Sequence, residues 1–129
     1  MSLVIALDHL VLTVASIEQS CAFYTTVLGM EEITFKGRKA LKFGTSKINL
    51  HEVGHEFEPK AVRPTAGSAD LCFISHTPIE RVLEHLQKCG IECLEGPVQR
   101  TGACHDLLSI YLRDPDGNLI EISNEINTH

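Results

Sequence analysis

A duplication with a 61-residue offset constrains this chain more than any other feature. His9 and Asp70, Ser16 and Thr77, and Gly29 and Gly90 each stand 61 positions apart. They hold the same places in two segments of one plan, Leu7 to Glu31 and Ser68 to Glu92. Each segment opens with a short apolar strand and then carries about three helical turns with an apolar period near 3.6. The start signals, Ser16 with Gln19 and Thr77 with Glu80, have capping-box spacing, and Pro78 falls at the favoured first helical position. The stops, Gly29 and Gly90, suit left-handed C-terminal caps.

Extended segments follow each helix: Glu31 to Lys36, Lys39 to Phe43 and Lys47 to Val53, then Ile91 to Gln99, Leu107 to Arg113 and Asn118 to Ser123. The last pair is joined by Asp114-Pro115-Asp116-Gly117, a strong turn signal. The pattern predicts an α+β fold of two tandem βαβββ units, about residues 5–55 and 66–125, in a single domain covering residues 1–129. Eight strands with two helices form a mixed sheet covered on one side only. Twisted half-sheets would cup the open side and leave the helices on the convex face.

Strand parity divides the side chains. Leu10, Leu12, Val14, Ile48, Leu50, Leu71, Phe73, Ile120 and Ile122 fall toward the helices, which turn Ile17, Cys21, Tyr24 and Leu28, or Ile79, Val82, Leu83 and Leu86, inward. The opposite face carries His9, Thr13, Asn49, His51, Asp70, Cys72, Glu121 and Ser123.

Composition excludes several classes. With 11 Lys and Arg against 17 Asp and Glu, the net charge is −6, and no basic stripe interleaved with aromatics suggests nucleic acid as a partner. The apolar N-terminus lacks a charged leader and a cleavage site, and Asp8 and His9 interrupt it well short of membrane-spanning length. A cytoplasmic protein is expected, with no membrane partner. Of five cysteines, odd in number and without zinc-finger spacing, most read as small buried hydrophobes in a reducing compartment. His55, His76, His85, His105 and His129 are read as surface residues.

The letters H-E-x-x-H at His51 to His55 suggest a zinc protease, which needs both histidines on one helix. Here Ile48, Leu50 and Val53 alternate with polar residues in a strand pattern, and Gly54 and Pro59 would break a helix. The match is accidental.

Asp8-His9-Leu10-Val11-Leu12-Thr13-Val14, Phe23-Tyr24, Leu28-Gly29-Met30 and Asp114-Pro115-Asp116-Gly117-Asn118-Leu119-Ile120-Glu121-Ile122 together resemble the vicinal-oxygen-chelate superfamily. That superfamily spans glyoxalase I, extradiol dioxygenases and bleomycin resistance proteins. Within it, INLHEVG, FEPKA, RTGA and the closing strand are most similar to the glyoxalase domain-containing protein 5 group. The resemblance implies a divalent metal ion (Mn, Fe, Ni or Zn) in the cup, with His9, Asp70 and Glu121 as ligands and Glu121 as the catalytic base. Asp70 stands where the family places a histidine, which shifts preference toward harder ions, or leaves Asp70 to pair with His9 in a lost site. The fourth corner falls at Asn49, with His51 as the alternative donor or a substrate-binding group.

Two functions follow from the resemblance. One is a metal-dependent lyase, isomerase or ring-cleaving dioxygenase acting on a small vicinally oxygenated substrate. The other is a metal-free protein that sequesters a small molecule, for which the acidic balance suits a cationic ligand. Either would act as a homodimer, as family members do.

Overall fold

The computed structural model describes residues 1–128, so His129 lies outside the described residues. The element order is β1 (His9–Val14), α1 (Ile17–Thr26), β2 (Glu31–Phe35), β3 (Arg38–Phe43), β4 (Ser46–Glu52), β5 (Asp70–Ile74), α2 (Ile79–Lys88), β6 (Glu95–Thr101), β7 (His105–Arg113) and β8 (Leu119–Thr128). Two βαβββ units result, as the duplication predicts. The chain divides between Gly67 and Ser68. The eight strands stand as two four-stranded mixed sheets, ordered β1-β4-β3-β2 and β5-β8-β7-β6. In each, the first and last strands of the unit run parallel and the other neighbours antiparallel.

In unit 1, α1 lies against β2, β3 and β4 and closes a core of Leu12, Val14, Cys21, Tyr24, Leu41, Ile48 and Leu50. In unit 2, α2 lies against β7, and Ile79, Leu86, Ile110, Leu112, Ile120 and Ile122 are buried. Burying side chains of this size contributes roughly 1.5–3 kcal/mol each, so the helix-facing sides hold the stability of each unit. The other side is free to carry polar groups.

The helix ends follow the sequence except at one point. Ser16 caps α1 through its hydroxyl, which accepts from the Gln19 amide at 3.2 Å. Gly29 and Gly90 take positive φ of 73° and 72°, the left-handed stop that only glycine adopts without strain. Thr77 does not cap α2. Pro78 is the N-cap and offers no side-chain acceptor, so Asn124 of β8 supplies one, with Oδ1 accepting from the Ile79 amide at 2.9 Å. Its amide donates to the Ser75 and Thr77 carbonyls, both at 2.9 Å. Unit 1 has the same device, since Glu52 of β4 accepts from the Ile17 amide at 3.1 Å. In each closing strand a residue that follows an open-face position, Glu52 after His51 and Asn124 after Ser123, thus tethers a helix.

β6 begins at Glu95, four residues later than the apolar run from Ile91 predicts, and extends to Thr101. The Ile91 amide is drawn back to the Leu86 carbonyl at 2.9 Å as part of the helix cap, which delays the turn into the sheet.

Candidate functional site

The turn after β7 shows how the second unit aims its functional residues. Asp114 Oδ1 accepts from the backbone amides of Asp116 and Asn118, both at 2.9 Å. Its Oδ2 accepts from the Asn118 side chain at 2.7 Å. Asn118 is fully buried and accepts from the Ala69 amide at 2.8 Å. One asparagine therefore ties the turn to the start of β5 and sets the β5–β8 register, in which Cys72 stands opposite Glu121. Parity predicts the strand faces from the apolar residues alone, but the function of Asn118 needs the turn to be seen.

Glu121 is half-buried on the open face of unit 2. The Ser123 hydroxyl donates to its Oε2 at 3.3 Å. Because Ser123 has one proton to give, its oxygen accepts from Ser109 at 2.7 Å and from the Cys72 thiol at 3.3 Å. Burial of the sulfur, followed by the charges of Glu121 and Asp70, pushes the Cys72 thiol above its usual range, against a lowering contribution from Ser123. Asp70 is exposed, on the same face as Cys72 and two residues before it. On the strand beyond, Tyr111 stands opposite Glu121 and accepts from Arg100 Nε at 3.0 Å, while Arg100 also holds Glu95 at 3.0 Å. Tyr111 and Arg100 join this face only through register, and the alternation of β7 is the signal that places them there.

In unit 1, His9, Val11 and Thr13 of β1 stand opposite Lys47, Asn49 and His51 of β4. The open face therefore holds both candidates for the fourth corner, as parity predicts. His51 lies in a strand and His55 in the turn beyond it, with its amide bonded to the Glu52 carbonyl at 2.9 Å, so the H-E-x-x-H letters share no helix. His9 is exposed at the start of β1. Asp8 Oδ2 lies 2.8 Å from its Nδ1, and that contact, first among several, holds the Asp8 carboxyl below its usual range.

His51 is buried at 8% exposure and lines two cavities, of about 300 Å³ and about 260 Å³. The first has walls of Val11, Thr13, Pro59, Lys60, Ala61 and Pro64. The second is bounded by Ile33, Phe35, Arg38, Lys47, Asn49 and Phe57, among others. The β2–β3 hairpin turns at Lys36 and Gly37, both with positive φ of 52° and 75°, and so returns Arg38 beside Phe35. Arg38 then lies over the Phe57 ring, 3.8 Å from its centroid, and His51 meets the same ring edge-on at 5.6 Å. Among the described residues no carboxylate lines either cavity, so the acidic balance of the whole chain does not extend into them, and a cationic ligand is not what they suit.

Within neither unit, among the described residues, do three His, Cys, Asp or Glu side chains gather into a metal-binding cluster. The donor chemistry is nonetheless compatible with a divalent ion. His9 has its Nδ1 engaged by a carboxylate, the arrangement that leaves Nε2 free to ligate. Asp70 and Glu121 add carboxylate oxygens on one face. The Asn49 amide, on the open face of unit 1, is a weaker ligand than a carboxylate or an imidazole. No helix among the described residues is long and apolar enough to cross a membrane.

Comparison with known proteins places these features in a family. Residues 6–122 match the model of the Glyoxalase/Bleomycin resistance protein/Dioxygenase superfamily. Virulence protein STM3117 of Salmonella typhimurium is 60% identical over 93% of this chain and 84% of its own length. Its crystal structure superposes with a TM-score of 0.94 over 97% of this chain and 100% of that one. The glyoxalase domain-containing protein RDO1 of Mycosarcoma maydis is 56% identical over 92% of this chain and 68% of its own length. The relatives are thus of the STM3117 type, not specifically of the glyoxalase domain-containing protein 5 group. Two distant structures share the fold alone. Lactoylglutathione lyase from Agrobacterium tumefaciens has a TM-score of 0.73 at 19% identity over 95% of this chain and 96% of that one. The antibiotic-binding protein TnmS3 from Streptomyces has a TM-score of 0.73 at 16% identity over 98% of this chain and 100% of that one.

Proposed function

Because the chain belongs to the Glyoxalase/Bleomycin resistance protein/Dioxygenase superfamily, we propose that it is a metal-dependent enzyme acting on a small, vicinally oxygenated substrate. The reaction class is a lyase, isomerase or ring-cleaving dioxygenase step. The observation that carries the reading is the Asp8–His9 contact of 2.8 Å, which orients the imidazole as metal-ligating histidines are oriented and serves no core purpose at an exposed position.

His9, Asp70 and Glu121 would hold the ion, with Asn49 or His51 at the fourth corner. When bound, such an ion supplies Lewis acidity toward two adjacent substrate oxygens. The remaining work falls to this chain's own groups. Glu121 accepts a proton at its carboxylate, and Ser123, itself held by Ser109 and Cys72, fixes which oxygen is engaged. His51, itself buried and packed against Phe57, would orient the substrate.

β1 and β5, which carry His9 and Asp70, are edge strands of their sheets, and Leu3, Val4, Ile5, Leu7 and Val11 are exposed apolar residues at and before β1. A homodimer would cover both.

A second reading, metal-free sequestration of a small molecule, is favoured by Asn49 and Asp70 standing at two of the four corners. Elemental analysis of untagged protein, repeated on His9→Ala and Glu121→Ala, separates the two. Near-stoichiometric metal that disappears in both variants supports the enzyme. No metal after reconstitution with Mn, Fe, Ni and Zn rejects it in favour of sequestration.

A further inference from the structure

We infer that the second cavity of unit 1 is a receptor for a small organic carboxylate with a flat apolar body. The inference rests on the reading above only in taking the open face of unit 1 as a ligand-binding surface.

The charges of this cavity are unbalanced in a chain whose net charge is −6. Its cationic lining residues are Arg38, Lys39 and Lys47. Lys39 is already neutralised, because its ammonium donates to Glu32 and Thr34, both at 2.8 Å. Arg38 and Lys47 have no carboxylate within ion-pair distance among the described residues, and although Asp8 feels the Lys47 charge, no Asp or Glu lines the cavity. Two cations lining one concave surface, with no carboxylate in its walls, are the arrangement an anion completes.

Arg38 narrows the anion's chemistry. One face of its guanidinium covers Phe57 at 3.8 Å, so its planar edge is the part left to donate, which matches a carboxylate in the same plane. Residues of β2, β3 and β4, with Phe57 from the loop beyond, line the cavity, and no helix N-terminus is among them to cradle a phosphate. Ile33, Phe35 and Phe57 provide an apolar wall, and His51 meets Phe57 edge-on at 5.6 Å. A ring or short apolar chain fits there, with its acid group toward Arg38 and Lys47.

The test is a titration of the full chain, stripped of metal with EDTA and dialysed free of it, with benzoate, benzamidine and inorganic phosphate, followed by backbone amide NMR shifts. Benzoate and benzamidine have the same ring and opposite charge. Saturable benzoate shifts at Arg38, Lys47, Asn49 and His51, absent with benzamidine and weakened by salt, are expected. Arg38→Met and Lys47→Met should each weaken benzoate by about tenfold or more. Lys42→Met removes a charge from the same face outside the cavity and should change affinity less than about threefold. Equal binding of benzamidine, tighter binding of phosphate than of benzoate, or equal losses in all three variants overturns the proposal. Chelation removes metal from the experiment, so failure here leaves the metal reading standing, and a metal-free protein leaves this one testable.

Discussion

Oδ2 of Asp8 lies 2.8 Å from Nδ1 of His9, at the first residue of the strand that opens the duplicated plan. The contact fixes which imidazole nitrogen is engaged and leaves the other available. Asp8→Asn retains the size and a hydrogen-bonding oxygen but loses the charge that makes the imidazole a better donor. Metal affinity, measured by calorimetry with Mn and Zn, should fall about 10–100-fold, while the thermal midpoint stays near wild type because both groups are exposed. Unchanged affinity would reject His9 as a ligand oriented in this way.

The two closing strands predict a pair of stability effects. Glu52 holds one amide at the start of α1, so Glu52→Ala should cost about 1 kcal/mol in urea unfolding, the usual value of a lost cap. Asn124 makes three bonds around the start of α2, where Pro78 offers no cap of its own. Asn124→Ala should therefore cost more, about 2–3 kcal/mol. Equal costs would mean that α2 is held by its apolar face alone.

These tethers also show where sequence reading stops. The 61-residue offset, the glycine stops and strand parity carry the fold, because each depends on local chemistry repeated twice. Parity further places Asn49, His51 and Glu121 on open faces. The Thr77 cap fails because a local pattern competes with a tertiary acceptor, the side-chain oxygen of Asn124, forty-five residues away from the amide it satisfies. Arg38 and Phe57 are invisible for the same reason. Nothing local marks a cation–aromatic contact between a hairpin strand and a later loop, whereas Lys47, two residues before Asn49 on one strand, was open to the same parity rule.

Asn118 gives a sharper stability prediction than any residue of the apolar core. It is fully buried, donates to Asp114 and accepts from Ala69. Asn118→Ala removes the donor to the Asp114 carboxylate and the acceptor of the Ala69 amide, at a cost of about 2–4 kcal/mol. Because that bond sets the register that brings Cys72 opposite Glu121, amide shifts at both residues should move as well. Loss of stability without those shifts would confine Asn118 to the turn.

Cys21 and Cys104 should separate cleanly with pH. Cys21 is in the unit 1 core, where burial first and Glu32 second push its thiol up to about 11, while Cys104 is exposed. Iodoacetamide at pH 8, followed by peptide mass mapping, should label Cys104 and spare Cys21. The same shift predicts a stability change on the alkaline side. An unfolded thiol ionises near its ordinary value of about 8.5, whereas the folded one keeps its proton to about 11. Above the unfolded value the unfolded state binds fewer protons than the native one, so stability is complete at lower pH and falls as pH rises toward 11. The slope from this one group is at most about 1.4 kcal/mol per pH unit. Urea unfolding of wild type and Cys21→Ala at pH 8, 9, 10 and 11 isolates it, since every other titrating group is common to both. Parallel curves would mean that Cys21 ionises alike in both states.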